Sequence, residues 1–373
     1  MAERRQYTLE ELTHHLRTVF GLERFRPGQL EVITAVLAGD DVVAILPTGA
    51  GKSLCYQLPA VLLPGMAVVV SPLIALMEDQ VRALQQRRIP ASCLHSGLED
   101  AVLAQRLHES IQGRYKLLYV SPERLQQESF LHRLRACSIS FVAVDEAHCI
   151  SEWGHDFRPA YLHIASALRR LDRPPVVALT ATATPEVQQD IVEHLQLRAP
   201  RIVIYGLDRP NLRWTVEHGR QKLERLAALC QRRRGAVLVY AASRRRVERL
   251  CGFLQQHGLP AAAYHAGIEP ELRQQVQERF LTNSVPILVA TSAFGLGVDK
   301  PDIRTVVHYD PPLTLEAYYQ EAGRAGRDGQ DAECIMLYDP GDCAVQEQLL
   351  AAGHPDWDTA SRVYAAIREL AAG

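Results

Sequence analysis

Short runs of Val, Ile, Leu and Ala alternate along the chain with longer stretches whose apolar positions recur at helical spacing. Most of the short runs carry no polar alternation. Both faces of each are therefore buried, as in a parallel sheet covered by helices on both sides. In the first half this pattern predicts strands at Asp41–Leu46, Ala67–Val70, Lys116–Val120, Phe141–Val144 and Val176–Leu179. In the second half it predicts Ala236–Tyr240, Ala261–Tyr264, Ile287–Ala290, Thr305–His308 and Cys334–Leu337. The amphipathic stretches between them supply the crossover helices that parallel strands need, so the fold class is α/β. Gly206 and Pro210 interrupt the pattern and place a boundary near residue 208. This divides the chain into two lobes, 1–207 and 208–340, and a short helical extension, 341–373. A capped amphipathic helix is expected over residues 8–20, leading into Gly21, and another over Thr359–Leu370. No sequence repeat is evident between the halves, which match only in architecture.

Composition narrows the class. The chain has 373 residues, 47% hydrophobic and 23% charged, which excludes a mostly disordered chain and a disulfide-stapled miniprotein. No apolar run reaches the roughly 18–20 residues that span a bilayer, so no membrane association is expected. The N-terminus has a basic start without an apolar core, unlike a secretory signal. The expected location is the cytoplasm, that of a bacterium and its nucleoid, where the eight cysteines stay reduced. They form no C-x-x-C pair, so no zinc site is expected. The net charge of −2 excludes a basic coat over the whole surface. A nucleic-acid binder of this composition would concentrate its positive charge in a groove.

Three segments carry candidate chemistry. The strand ending at Leu46 runs into Thr48, Gly49, Ala50, Gly51, Lys52 and Ser53 and then a helical run. This is a phosphate loop in its expected strand–loop–helix context, with Leu46 where the strict pattern has its first Gly. Backbone N–H groups cradle phosphate oxygens, Lys52 reaches the β/γ-phosphates, and the Ser53 hydroxyl binds Mg²⁺. The apolar run Phe141–Val144 delivers Asp145 and Glu146 at its end. Asp145 is the candidate Mg²⁺ ligand and Glu146 the group that polarises the attacking water. In the second lobe, Gln320, Arg324 and Arg327 form a candidate charge-stabilising motif for a transferring phosphoryl group. Taken alone, that motif reads as the charged end of a surface helix.

In this order the three segments resemble superfamily 2 helicases, and further segments are similar to the RecQ family of ATP-dependent DNA helicases. Phe25-Arg26-Pro27-Gly28-Gln29 resembles the family's adenine-reading motif, with Gln29 facing the base and Arg26 holding the nucleotide. Ser151–Pro159 resembles its aromatic-rich loop, where Trp153 and Phe157 would stack on bases and His155 and Arg158 would carry DNA occupancy back to Glu146. The resemblance implies two RecA-like αβα lobes, each with a mainly parallel sheet, and an ATP cleft between them. It implies ATP and Mg²⁺ as cofactors and Asp299 near the ribose. It implies DNA contacts at Ser71, Pro72, Ser121 and Arg124 in the first lobe, and at Ser243, His265, Thr291 and Phe294 in the second. Thr180-Ala181-Thr182 resembles the segment that couples nucleotide state to DNA grip.

The implied activity is 3′→5′ movement on single-stranded DNA with unwinding of tailed duplexes, in DNA repair and recombination, alongside single-strand-binding or repair proteins. Only about 30 residues follow the second lobe. They are too few for the zinc and winged-helix modules that the family commonly carries. Two alternatives stand beside this reading: an ATP-gated DNA-binding or annealing motor without autonomous unwinding, and an RNA helicase of the same superfamily.

Overall fold

The computed structural model describes residues 5–153, 156–206, 208–294, 300–344, 346–347 and 357–372. His155 and Asp299 lie outside the described residues. The chain forms two compact units, the first running to Pro210 and the second beginning at Asn211.

The first unit holds a seven-stranded sheet. Its strands are β1 (Val42–Ile45), β2 (Met66–Val70), β3 (Ala91–Leu94), β4 (Leu117–Val120), β5 (Ile139–Val144), β6 (Val176–Thr180) and β7 (Arg201–Ile204). They lie in the order β3-β4-β2-β5-β6-β1-β7, parallel throughout. Two hydrophobic clusters cover its faces, one around Val42, Ala44, Ala67, Val69 and Tyr119, the other around Val43, Ile45, Val68, Val70 and Val142. Alternate residues of the same strands feed opposite clusters, which is why these runs lack polar alternation.

Asp41 fastens the start of β1. It is buried, and it accepts backbone N–H bonds from Val176 (2.8 Å) and Arg198 (2.7 Å) while pairing with Arg173 at 2.7 Å. At the N-terminus, Thr8 and Glu11 form a reciprocal capping box on the helix Leu9–Phe20, and Gly21 ends that helix at φ +67°.

The second unit holds six strands: β8 (Leu212–His218), β9 (Ala236–Tyr240), β10 (Ala261–Tyr264), β11 (Ile287–Ala290), β12 (Ile303–His308) and β13 (Ala332–Tyr338). Their order is β10-β11-β9-β12-β13-β8, again parallel. A buried pair, Lys222 with Asp342 at 2.9 Å, ties the segment after β13 back to the helix Lys222–Gln231. A last helix covers Trp357–Ala372.

The units match in register, which the sequence alone does not reveal. Strand β2, the helix Ile74–Gln86, β3, the helix Asp100–Ile111 and β4 recur as β9, the helix Arg244–Gln256, β10, the helix Pro270–Leu281 and β11. Each recurs at the same length, about 170 residues later. Individual bonds recur too. Gln85 Nε2 donates to Ala91 O at 3.0 Å, and Gln255 Nε2 to Ala261 O at 2.9 Å. The Gly97 N–H donates to His95 Nδ1 at 3.2 Å, and the Gly267 N–H to His265 Nδ1 at 3.2 Å. His95 Nε2 lies 3.4 Å from Glu78, and His265 Nε2 lies 3.3 Å from Glu248. The match lies in element lengths and strand-end contacts, while the helix residues of the two units differ.

Candidate active site

The fully buried β1 delivers the chain into the loop over residues 46–53, and the helix Leu54–Leu62 follows. Gly49 and Gly51 sit at φ +85° and +72°, the left-handed region that glycine tolerates best. The Arg26 guanidinium donates to Gly49 O. The Gln29 amide donates to Ala50 O at 2.7 Å and Gly51 O at 3.0 Å, and its oxygen accepts the Arg26 N–H at 2.8 Å. A Cβ on Gly51 would meet Gln29 Nε2 at 2.8 Å, so this approach requires glycine. The two segments expected to read adenine and phosphate are therefore in direct contact. Lys52 Nζ donates to Leu46 O at 3.3 Å, and Arg209 Nη1 to Thr48 O at 3.1 Å. Ser53 opens the helix, and its hydroxyl caps no backbone N–H there.

Leu46 departs from the strict pattern for a packing reason. It is fully buried, and its Cδ2 would stand 2.7 Å from a Cβ on Gly28. The leucine fills space that Gly28, at φ +82°, leaves open.

Strand β5 carries Asp145 and Glu146 to the C-terminal edge of the same sheet, where ligands of parallel sheets bind. The Asp145 N–H bonds to Val70 O at 2.9 Å, and the Tyr161 hydroxyl donates to Asp145 O at 2.9 Å. Burial pushes the Asp145 carboxyl up to about 7, Glu146's charge adds to the rise, and Lys52 opposes it. Glu146 is held at φ +48°, a conformation that costs a non-glycine residue energy and marks functional positions. Its N–H donates to Asp145 Oδ1 at 3.0 Å. His148 Nδ1 stands 3.5 Å from Glu146 Oε2 and 2.9 Å from Thr180 Oγ1, and the Thr180 hydroxyl donates to Thr182 O at 2.9 Å. The imidazole thus hydrogen-bonds Thr180 and stands beside the Glu146 carboxylate.

These groups fit a hydrated divalent cation on a nucleotide. Asp145 is a buried carboxyl whose charge lacks full compensation, as its raised pKa records. Among the described residues, no group of three or more His, Cys, Asp or Glu could hold a metal ion. One carboxylate and one hydroxyl, completed by phosphate oxygens and water, is how Mg²⁺ is held at phosphoryl-transfer sites.

The aromatic-rich segment is anchored at both ends. Ser151 Oγ donates to Asp190 Oδ2 at 2.6 Å and accepts the Trp153 N–H at 3.2 Å. Arg158 donates to Pro72 O at 3.1 Å and grips Asp156 Oδ2 through Nε and Nη2. Trp153 is 78% exposed, whereas Phe157 is half-buried. Nearby strand ends bring Ser71 and Ser121, both buried, to the same sheet edge, and Arg124 donates to His95 O at 3.1 Å.

In the second unit, Ser243 caps the helix Arg244–Gln256 by accepting the Arg246 N–H, His265 is buried in its turn, and Thr291 Oγ1 accepts the Ala293 N–H. Phe294, an expected DNA contact, closes the segment after β11. It is fully buried against Tyr264 (4.9 Å) and Phe280 (5.6 Å), so its ring belongs to the core. Gln320 lies on the helix Leu315–Ala322 and is buried, as is Arg324 just beyond it; Arg327 follows, half-buried. Sequence reasoning missed Tyr161, Asp190 and Arg209. Each acts through a contact distant in sequence, and no local motif announces it.

Comparison with known proteins decides the family. The DEAD/DEAH box helicase family matches residues 26–191, and the helicase conserved C-terminal domain matches residues 221–329. The ATP-dependent DNA helicase RecQ of Synechocystis sp. is 42% identical over 361 residues, covering 92% of this chain and 75% of that protein. The chain belongs to the RecQ family of ATP-dependent DNA helicases. The Pasteurella multocida RecQ is 46% identical over 90% of the chain, which spans only 53% of that protein. This RecQ-family chain thus covers about half the length of several curated relatives it matches. Among solved structures, Mycobacterium smegmatis helicase Lhr bound to ssDNA and AMP-PNP matches with a TM-score of 0.71 at 25% identity, over 92% of this chain and 50% of that one. Two parallel α/β units are the helicase fold. Among the described residues, no helix is long and apolar enough to cross a membrane.

Proposed function

We propose that this chain is an ATP-driven motor that moves 3′→5′ on single-stranded DNA and opens tailed duplexes, as RecQ-type helicases do in repair and recombination. The observation that carries the reading is the joining of three groups in one unit. The adenine segment touches the phosphate loop, the acidic pair sits at the same sheet edge, and His148, bonded to Thr180, stands beside Glu146. Lys52 neutralises phosphate charge, Ser53 and Asp145 hold Mg²⁺, and Glu146 accepts the proton of the attacking water. The ion, when bound, polarises the phosphoryl oxygens. Arg324 and Arg327 supply guanidinium charge to the transferring group, and Gln320 orients water. DNA is held by phosphate contacts at the strand ends and by Trp153 stacking on a base. Single-strand-binding or repair proteins are the expected partners, in a bacterial cytoplasm.

The deciding experiment is steady-state ATP hydrolysis alone, with single-stranded DNA and with single-stranded RNA, beside strand displacement on a 3′-tailed duplex. Stimulation by DNA with displacement is the expected result. Absence of any DNA stimulation overturns the reading, and stronger stimulation by RNA transfers it to an RNA helicase. A second reading rests on the chain spanning about half of several relatives: a translocating motor without autonomous unwinding. DNA stimulation without displacement selects it.

A further inference from the structure

The second unit buries a histidine that phosphoryl transfer does not use directly. His308 ends β12 and is fully buried. The Tyr240 ring stacks on its imidazole at 5.4 Å and 21°, and the Tyr318 ring meets it edge-on at 4.8 Å. Its Nε2 lies 3.0 Å from Glu321 Oε2. Glu321 sits in the helix Leu315–Ala322 directly after Gln320 and three residues before Arg324. Tyr240 closes the circuit: its hydroxyl donates to Phe294 O at 2.8 Å, and it also hydrogen-bonds the Arg324 side chain. The outer side of the same helix is held by Trp214, which stacks on Tyr319 at 5.9 Å and meets Tyr318 at 5.5 Å.

We propose that His308 and Glu321 are a positioning pair that fixes the rotation of the arginine helix and thereby sets Gln320 and Arg324 for phosphoryl transfer. The helix is also held through Tyr318 and Tyr319 by Trp214 and through Ala322 O by Cys334 Sγ at 3.5 Å, and the His308–Glu321 contact is the polar side-chain bond directly beside Gln320. The helix is eight residues long, only Gln320 and Ala322 of its own residues are buried, and both Leu313 and Leu315 beside its start are exposed. Isolated helices of this length are marginal, so its orientation is set by its tertiary contacts, the buried polar pair among them. The bond to Glu321 defines which nitrogen works. Nε2 donates to the carboxylate, and the ring is held flat by Tyr240, so rotation of the helix breaks a charge-assisted hydrogen bond in a buried site. A guanidinium acts on a transferring phosphoryl group only within a narrow range of positions, and a displacement near 1 Å costs on the order of 100-fold in rate.

The inference rests on the ATP-hydrolysing reading above, and one set of measurements separates the two. DNA-stimulated hydrolysis is measured for wild type, Glu321→Ala, His308→Ala, the double variant, Glu321→Gln and His308→Gln, with fluorescent-ADP binding and thermal unfolding on each. A wild type without DNA-stimulated hydrolysis refutes the reading itself. Given an active wild type, the expected result is a kcat loss of about 10-fold or more in each alanine variant. KM for ATP and ADP affinity stay within about twofold. The double variant is no worse than either single one, because the two residues act as a unit. Glu321→Gln and His308→Gln restore most of kcat, since an amide oxygen still accepts and an amide nitrogen still donates. Additive losses refute the pair. So does an alanine variant with wild-type kcat, or a kcat loss that the glutamine variants share in full. If an alanine variant fails to fold, the glutamine variants decide: wild-type-like kcat supports the pair and loss of kcat with normal unfolding refutes it.

Discussion

Lys52 and Glu146 lend themselves to separate tests because their surroundings give them separate duties. Lys52 Nζ donates to a loop carbonyl, Leu46 O, and its charge acts on the nearby Asp145, where a phosphate-binding cation should stand. Lys52→Ala is expected to lower ATP turnover at least 100-fold and to weaken nucleotide binding, read by steady-state hydrolysis and by fluorescent-ADP titration. Glu146 is strained and bonded so that its carboxylate faces His148. Glu146→Gln keeps that shape, so binding is expected to persist while turnover falls at least 100-fold. Equal loss of binding in both variants would remove Glu146 from the water-activating role.

Asp145 adds a pH signature. Its carboxyl holds its proton up to about pH 7 in the fold, whereas an unfolded Asp ionises near about 4. Between those values the native state binds more protons than the unfolded one, so stability falls as pH rises through that window, by at most about 1.4 kcal/mol per pH unit. Asp145→Asn abolishes this dependence. The metal-free variant should therefore gain more in Tm over wild type at pH 8 than at pH 5, measured by calorimetry.

At the scale of elements, the recurring strand-end turn is the feature to test. His95 and His265 each accept a glycine N–H through Nδ1 and each face a glutamate of the preceding helix. Replacing either imidazole by a methyl removes the acceptor of an N–H on an exposed glycine, at roughly 0.5–1.5 kcal/mol. An Asn in its place carries an oxygen where Nδ1 stood. His95→Asn should therefore unfold close to wild type and His95→Ala below it, with the same ordering at position 265. Opposite orderings at the two positions would end the equivalence of the turns. Asp41 offers a harsher case: Asp41→Ala leaves Arg173 and two N–H groups unpaired in a buried site, at about 3–5 kcal/mol by urea unfolding.

The elements also show what the sequence exposes and what it hides. The central strands β1, β2, β4, β5, β6, β9 and β11 and the edge strand β10 announce themselves by mainly apolar runs, β12 and β13 by the apolar part of theirs, and β9, β10 and β11 match their expected limits residue for residue. The strands that went unread lie at sheet edges. Strand β7 has one buried residue in four, β8 is mostly exposed, and β3 is a four-residue run containing Ser92 and Cys93. β7 and β8 bury one side or less, so their apolar signal falls to that of a loop, whereas β3 is buried throughout and escapes notice because it is short and interrupted by Ser92. The phosphate loop and acidic pair were legible because both are local. The anchors Asp190, Tyr161 and Glu321 are long-range contacts, and so is the enclosure of Phe294 by Tyr264 and Phe280.

For the whole molecule, the proposed function requires that DNA occupancy alter hydrolysis at a distance. The first unit holds the contacts through which we expect this coupling to run. Trp153 projects from a loop whose start is fixed to Asp190 through Ser151, and whose end is fixed to Pro72 through Arg158. The same strand end that carries this loop carries Glu146, and His148 stands beside Glu146 and bonds Thr180. A base stacked on the indole gains roughly 1–3 kcal/mol, enough to shift a two-state loop about 5- to 150-fold. Trp153→Ala removes that energy, and Ser151→Ala removes the anchor while leaving the indole in place. Both should raise the DNA concentration for half-maximal ATPase stimulation. Only Ser151→Ala should also lower the stimulated rate at saturating DNA, because there the loop binds without transmitting. If Ser151→Ala changes neither quantity, the path does not run through this anchor. If Trp153→Ala leaves the half-maximal concentration unchanged, the exposed indole does not hold a base.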